Sequence, residues 1–336
     1  LNLIDGFDPA DGDRFTLIQN NGINPVSGTF FDYPEGHEFT NFLGSGLNAY
    51  LTYVGGDGND VVILMEDSTP EVTLPVNGTT DNYSLEIDGT NVVIRDVATG
   101  DLISSIPLDS LEGTLIINGE AGVDDKLTID MTGIDETTDL QIIFNGGTGG
   151  HDTLELVNGN LNSIEFRYVD PSTGSIRLNG SGSDFISYTG LEPVTSTVNA
   201  TNVTLTYTGG AEIIDISDLG GGQTRVDSSL GEMTDFINPT GTLTINAGTG
   251  ADTININSLA AGYSANIIIN GDGAADEINV DASISLAAGK TIQFNAEVVE
   301  LTGDVTADAI TGTATTVNIT GSAGGAEIQD AIDLAA

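Results

Sequence analysis

Apolar residues in this chain come in short runs of three to six positions, alternating or nearly so, and each run stops at Asn, Gly or Asp. Representative runs are Thr114-Leu115-Ile116-Ile117, Leu127-Thr128-Ile129, Leu140-Gln141-Ile142-Ile143-Phe144, Thr242-Leu243-Thr244-Ile245, Thr253-Ile254-Asn255-Ile256 and Ala265-Asn266-Ile267-Ile268-Ile269. Period-two alternation sends successive side chains to opposite faces of an extended chain, so these runs predict β-strands with one face to bury. Helical spacing occurs in the last stretch, where Ile328, Ala331, Ile332 and Ala335 fall at i, i+3, i+4 and i+7. That spacing predicts one short helix over 326–336.

Five passages share one grammar of strand, Gly-containing turn with Asp, and strand. They are 53–63 (YVGGDGNDVVI), 117–129 (INGEAGVDDKLTI), 144–156 (FNGGTGGHDTLEL), 245–256 (INAGTGADTINI) and 269–280 (INGDGAADEINV). Two pairs are tandem: Asn118 and Asn145 lie 27 residues apart, and Asn246 and Asn270 lie 24 apart. A period of that size, with two or three short strands in each repeat, is one coil of a parallel β-helix, because no strand buries its apolar face without the next coil. The expected fold is therefore all-β, a right-handed parallel β-helix or β-solenoid in several units, with β-sandwich-like segments in 81–115 and 196–240.

Stacking sets equivalent corners about 4.8 Å apart. Carboxylates at that spacing repel by about 1 kcal/mol even in water. Something must offset this: cations, asparagine ladders, or bonds from Asp to backbone amides. The corners supply hard oxygen ligands, so the candidate Ca²⁺ ligands are Asp57, Asn59, Asp60, Asp124, Asp125, Asp152, Asp252, Asp272 and Asp276. The competing reading is that each Asp bonds its own turn amides. The passages never recur at nine residues, so nonapeptide half-sites do not form within one coil.

The organisation expected is a cap unit at 1–66, a linker at 67–80 around Pro70 and Pro75, a first Gly/Asp-turn unit at 81–190, a linker at 191–197 around Pro193, a second such unit at 198–325, and the helix at 326–336. The two Gly/Asp units read as a duplication, each opening with two strand runs and then carrying two Asp turns.

Charge and composition narrow the function. The 336 residues hold 7 Lys+Arg against 50 Asp+Glu, a net charge of −43, so nothing basic is present to neutralise phosphates and nucleic acid is excluded as a partner. Hydrophobic residues are 39%, too many for a chain kept unfolded by its charge. There is no Cys, hence no disulfide or thiolate metal site, and no apolar run approaches the roughly 18–20 residues of a membrane helix. The chain begins at Leu1 without a signal peptide, which reads as a mature chain or a piece of a longer one. The seven basic residues show no shared spacing, and His37 and His151 are the only histidines, so no catalytic set stands out.

Residues 12–18 (GDRFTLI), 26–30 (VSGTF), 34–36 (PEG) and 53–63 resemble the terminal part of an autotransporter-type β-helix passenger. Residues 327–336 (EIQDAIDLAA) resemble the capping helix that opens a pectin-lyase-like β-helix, and the Gly/Asp turns resemble those of RTX proteins. The middle resembles repeat modules of giant acidic bacterial surface proteins. These resemblances imply a non-enzymatic structural module of a secreted or cell-surface bacterial protein. It would form a fibre, layer or matrix by binding itself or other surface proteins, with Ca²⁺ as the stabilising ion. Two other classes stay open. One is an adhesin for glycans or cells, using the aromatics between Phe30 and Tyr53. The other is a polysaccharide lyase or hydrolase, using Arg167 or Arg177 beside carboxylates.

Overall fold

The computed structural model describes residues 9–319 and Leu334, apart from 11–12, 21, 23, 45–46, 56–58, 67–69, 79, 109–110, 112, 136–137, 139, 181 and 274. It is all-β and divides into two compact units, 1–70 and 71–336.

The first unit is a four-stranded sheet in the order Arg14–Ile18, Asp60–Glu66, Asn48–Gly55, His37–Phe39. Every pair in it is antiparallel. The unit expected as the end or cap of a β-helix is a hairpin sheet in its described residues. The physical reason is the short connection between Gly55 and Asp60, which suits an antiparallel return and is too short for a parallel crossover. Ala49, Leu51, Tyr53, Val61, Ile63 and Met65 fill its core.

The second unit is a solenoid built from two long sheets, one of 13 strands and one of 11. The chain crosses from one sheet to the other at each Gly/Asp corner. Thr114–Asn118 pairs in parallel with Gln141–Asn145, placing Asn118 directly beside Asn145. Thr242–Asn246 pairs in parallel with Asn266–Asn270, placing Asn246 beside Asn270. The equivalent corners are therefore successive rungs, as the 27- and 24-residue spacings predict. Strands alternate buried and half-buried positions, as in Thr242–Asn246 and Thr291–Asn295. Their inward Leu, Ile, Val and Phe side chains form one core from Val72 to Ile310. The two Gly/Asp units at 81–190 and 198–325 share that core.

Three antiparallel triplets interrupt the parallel winding. Thr80–Asp88, Asn91–Asp96 and Leu102–Pro107 end the 13-stranded sheet. Asn160–Asp170, Thr173–Leu178 and Ile186–Thr189 lie within the 11-stranded sheet. Ile213–Gly220, Gln223–Ser228 and Thr234–Ile237 lie within the 13-stranded one. These replace the sandwich-like segments expected at 81–115 and 196–240. In both internal triplets the chain lays its first strand two positions ahead and fills back. Ile186–Thr189 thereby lands beside Gln141–Asn145, and Thr234–Ile237 beside Leu191–Ser196. One triplet in each sheet keeps the two sheets in step.

Both expected linkers are corrected. Leu191–Ser196 is an internal strand between Asp152–Val157 and Thr234–Ile237, with Leu191 and Val194 fully buried. Pro193 fits because the pairing register shifts between Asp152 and Leu154, so its missing N–H falls at an irregularity. Within 67–80, Glu71–Thr73 pairs with Thr114–Asn118 and Leu74 is fully buried. The helix expected over 326–336 lies outside the described residues except for Leu334, which is buried.

Candidate functional site

Two lines of acidic residues run along the corners of the solenoid. In the first, Asp81, Asp125 and Asp152 stand on three successive strands of one sheet, all buried. Asp125 Oδ2 accepts the Glu120 N–H of its own turn at 2.8 Å, and the Asp125 N–H donates to Asp152 Oδ1 at 2.8 Å. In the second line, the Glu212 N–H donates to Asp252 Oδ1 at 2.9 Å, the Asp252 N–H to Asp276 Oδ1 at 3.0 Å, and the Asp276 N–H to Glu297 Oε2 at 2.9 Å. Asp152, Asp252, Asp276 and Glu297 thus each cap an amide of the coil before, while Asp125 caps an amide of its own turn. Bonds from an amide to a charged acceptor are worth about 1.5–3 kcal/mol, more than the repulsion between neighbouring corners.

The glycines make room for this arrangement. A Cβ on Gly119 would sit 2.5 Å from Asp125 Oδ2 and 2.6 Å from the Gly146 carbonyl oxygen of the next coil. A Cβ on Gly146 would sit 2.7 Å from the Asp152 side chain. The Asn-Gly pairs at 118–119 and 145–146 therefore place a ladder residue next to a residue with no side chain to obstruct the folded-back carboxylate.

The asparagines form polarised ladders that end on acids. Thr189 Oγ1 donates to Asn145 Oδ1 at 3.1 Å, Asn145 Nδ2 to Asn118 Oδ1 at 2.7 Å, and Asn118 Nδ2 to Glu71. In the second half, Asn295 Nδ2 donates to Asn270 at 2.7 Å, Asn270 to Asn246 at 2.8 Å, Asn246 to Thr206 at 3.2 Å, and Thr206 to Glu165 at 2.9 Å. A third ladder on the other sheet runs from Asn279 to Asn255 at 3.0 Å and on to Asp215 at 2.9 Å. Aligned donors of this kind polarise one another.

Burial holds several of these acids above the ordinary carboxylate range. It pushes Asp152 to about 6 against the opposing Asp125 amide, with the charges of Asp125 and Asp124 adding to the rise. It pushes Glu212 to about 7 against the Ser228 hydroxyl that bonds it, with Asp252 adding. Asp125 and Asp252 are raised for the same leading reason. Glu212 Oε1 and Asp252 Oδ2 are buried without a partner among the described residues.

The nine residues predicted as Ca²⁺ ligands fall into separate settings. Asp125 and Asp152 are neighbours, as are Asp252 and Asp276. Asp124 Oδ1 accepts the His151 N–H at 2.8 Å, and Asp272 is exposed in a turn with φ 73°. In the first unit, Asp60 Oδ1 accepts the Asn20 N–H at 2.7 Å and Asn59 Nδ2 donates to the Gly22 carbonyl at 2.5 Å. Asp57 lies outside the described residues. Among the described residues, no three His, Cys, Asp or Glu side chains converge as a metal's ligands would. Asp81, Glu212 and Glu297 are the corner acids that a search for Gly/Asp turns overlooks. Their signal is an acid followed by alternating apolar positions: 209–216 (GGAEIIDI) matches 249–256 (TGADTINI) at an offset of 40.

Five of the seven basic residues form ion pairs: Arg95 with Glu86 at 3.6 Å, Lys126 with Glu155 at 2.7 Å, Arg167 with Glu165 at 3.5 Å, Arg177 with Asp184 at 2.6 Å and Arg225 with Asp235 at 2.8 Å, while Lys290 Nζ donates to the Thr240 carbonyl at 2.6 Å. An open groove of about 630 Å³ is lined by Asn270, Asp272, Asp276, Asn295 and Glu297 among others, with no basic residue. Among the described residues no helix is long and apolar enough to cross a membrane. No family model, curated protein or solved structure matches the chain.

Proposed function

We propose that this chain is a non-enzymatic structural module of a secreted or cell-surface bacterial protein, a right-handed solenoid that forms or extends a fibre, layer or matrix. One observation carries the reading: chains of polar groups along the corners and outer faces hold one coil to the next. Corner carboxylates cap amides and asparagines bond asparagines of the neighbouring coil. The handedness follows from the strong preference of parallel crossovers. The acidic exterior keeps such a rod extended and soluble through self-repulsion. Calcium acts at the exposed carboxylates and turn carbonyls, with weak sites on the order of 10⁻⁴–10⁻³ M. Sedimentation and electron microscopy of the purified chain over a wide concentration range test this. Elongated particles that add end to end or side by side are expected. A monomer of unchanged size at every concentration, with and without calcium, overturns it.

A second reading, a glycan-binding adhesin, is favoured by the turn at Phe30–Tyr33 in the first unit. Tyr53 OH accepts the Phe30 N–H and donates to the Tyr33 carbonyl, both at 2.7 Å, which fixes the turn. The turn presents Phe31 88% exposed, with Phe30 and Tyr33 half-exposed beside it. Binding to a glycan array that Phe31→Ala abolishes would select this reading over the first.

A further inference from the structure

Unsatisfied polar atoms cluster in the core where the two internal triplets meet. Tyr188 OH, Tyr207 OH and Glu232 Oε2 are all closed to solvent and find no hydrogen-bond partner among the described residues. Tyr168 stacks on Tyr207 with ring centroids 4.7 Å apart, and its OH shares a 2.6 Å hydrogen bond with Thr234 Oγ1 from the opposite sheet. Glu232 lies two residues before the first residue of the strand Thr234–Ile237 and is 3% exposed.

Among the described residues, the charged groups facing Glu232 are all acidic. Glu192 approaches from Leu191–Ser196, Asp227 from Gln223–Ser228 and Asp170 from the end of Asn160–Asp170. Tyr168 and Tyr188 are the neutral groups beside it. The nearest basic residue in sequence, Arg225, is committed to Asp235 through two hydrogen bonds of 2.8 Å. The Met233 N–H favours the charged form. A buried carboxylate with three acidic neighbours and no cation is unfavourable. Among the described residues no acids or histidines converge to hold a metal in place of that cation.

We propose that Glu232 is a proton latch: its side chain is the neutral acid in the native fold at neutral pH, and losing that proton loosens the joint between the two internal triplets. Burial, with the charge of Glu192 next, raises the group to about 8. Its unfolded value is the ordinary glutamate value of about 4.3. The native state therefore binds more protons than the unfolded chain. The stabilisation is fully present below about pH 4.3 and is lost as pH rises through about 8. The joint is tight in acid and neutral solution and slackens in alkali.

The test uses the whole chain with carbon-13 labelled glutamate carboxyls. A glutamate carboxyl titrating near pH 8 in the native protein, and missing from the spectrum of Glu232→Gln, is expected. A native spectrum in which no glutamate titrates above pH 7 overturns the proposal, whether or not the variant folds. Hydrogen exchange gives a second measurement. From pH 7 to 9, amides of Thr234–Ile237 and Ile186–Thr189 are expected to lose protection in the wild type and to retain it in Glu232→Gln. The melting temperature at pH 9 is expected to favour the variant by about 2–4 °C. Equal loss of protection in both proteins would show that Glu232 does not control the joint.

Discussion

Asn270 illustrates how single side chains hold this molecule together. It donates to Asn246 at 2.8 Å and accepts from Asn295 at 2.7 Å, so one amide joins three coils. Asn270→Ala removes both bonds and leaves a donor and an acceptor on the neighbouring rungs, half-buried but within reach of water. A loss of about 1–2 kcal/mol is expected, read as a lower urea midpoint with an unchanged slope. Asn270→Asp keeps an acceptor for Asn295 but sets a new charge near Asp272 and Asp276. Its deficit is expected to shrink as pH falls from 7 to 4. The asparagine rungs were readable in the sequence because identical residues recur at the coil period. Glu212 and Glu297 were not, because glutamate reaches the same corner with one more methylene and breaks a pattern keyed to aspartate. The tyrosine cluster was hidden for a different reason: alternation says which side chains point inward, not which inward side chains meet.

Corners decide whether adjacent strands close into a coil. Gly150 takes φ 106°, and a Cβ there would lie 2.2 Å from the Val123 carbonyl oxygen of the preceding coil. That contact is backbone on backbone, so Gly150→Ala is expected to push the coils apart and cost more than about 2 kcal/mol. Gly122 is the control. Its φ is 76° and a Cβ there would meet nothing within 4 Å, so Gly122→Ala carries only the left-handed strain, about 1 kcal/mol. Thermal unfolding of the two variants side by side checks the difference; equal losses would mean that coil-to-coil contact at the corner is unimportant. Strand positions and the stacking of corners follow from alternation and period, and both were readable. Strand direction was not, because period-two patterning is the same in a parallel and an antiparallel strand. That is why the three triplets read as separate sandwich-like segments, and why Pro193, at a register shift inside a strand, read as a linker.

A net charge of −43 on 336 residues makes ionic strength a property of the whole molecule. Self-repulsion is felt by every coil and is screened beyond about 10 Å at 0.1 M salt. Raising sodium chloride from 10 to 300 mM is therefore expected to raise the melting temperature steadily. Asp152, Asp276 and Glu297 contribute little to that gain, because an amide already faces one oxygen of each. It comes from exposed acids such as Asp272, where a divalent cation also has access. Calcium and salt effects separate when ionic strength is held fixed. At 300 mM sodium chloride with about 10 mM calcium present, adding excess chelator is expected to lower the melting temperature by several degrees, because an ion bound only to the native state stabilises it according to its concentration over its dissociation constant. Replacing calcium with magnesium should restore less of the loss, since magnesium demands a tighter octahedral shell than flexible surface turns provide. A melting curve indifferent to chelator but responsive to sodium chloride would assign the acidic surface to screening alone and remove calcium from the proposed role.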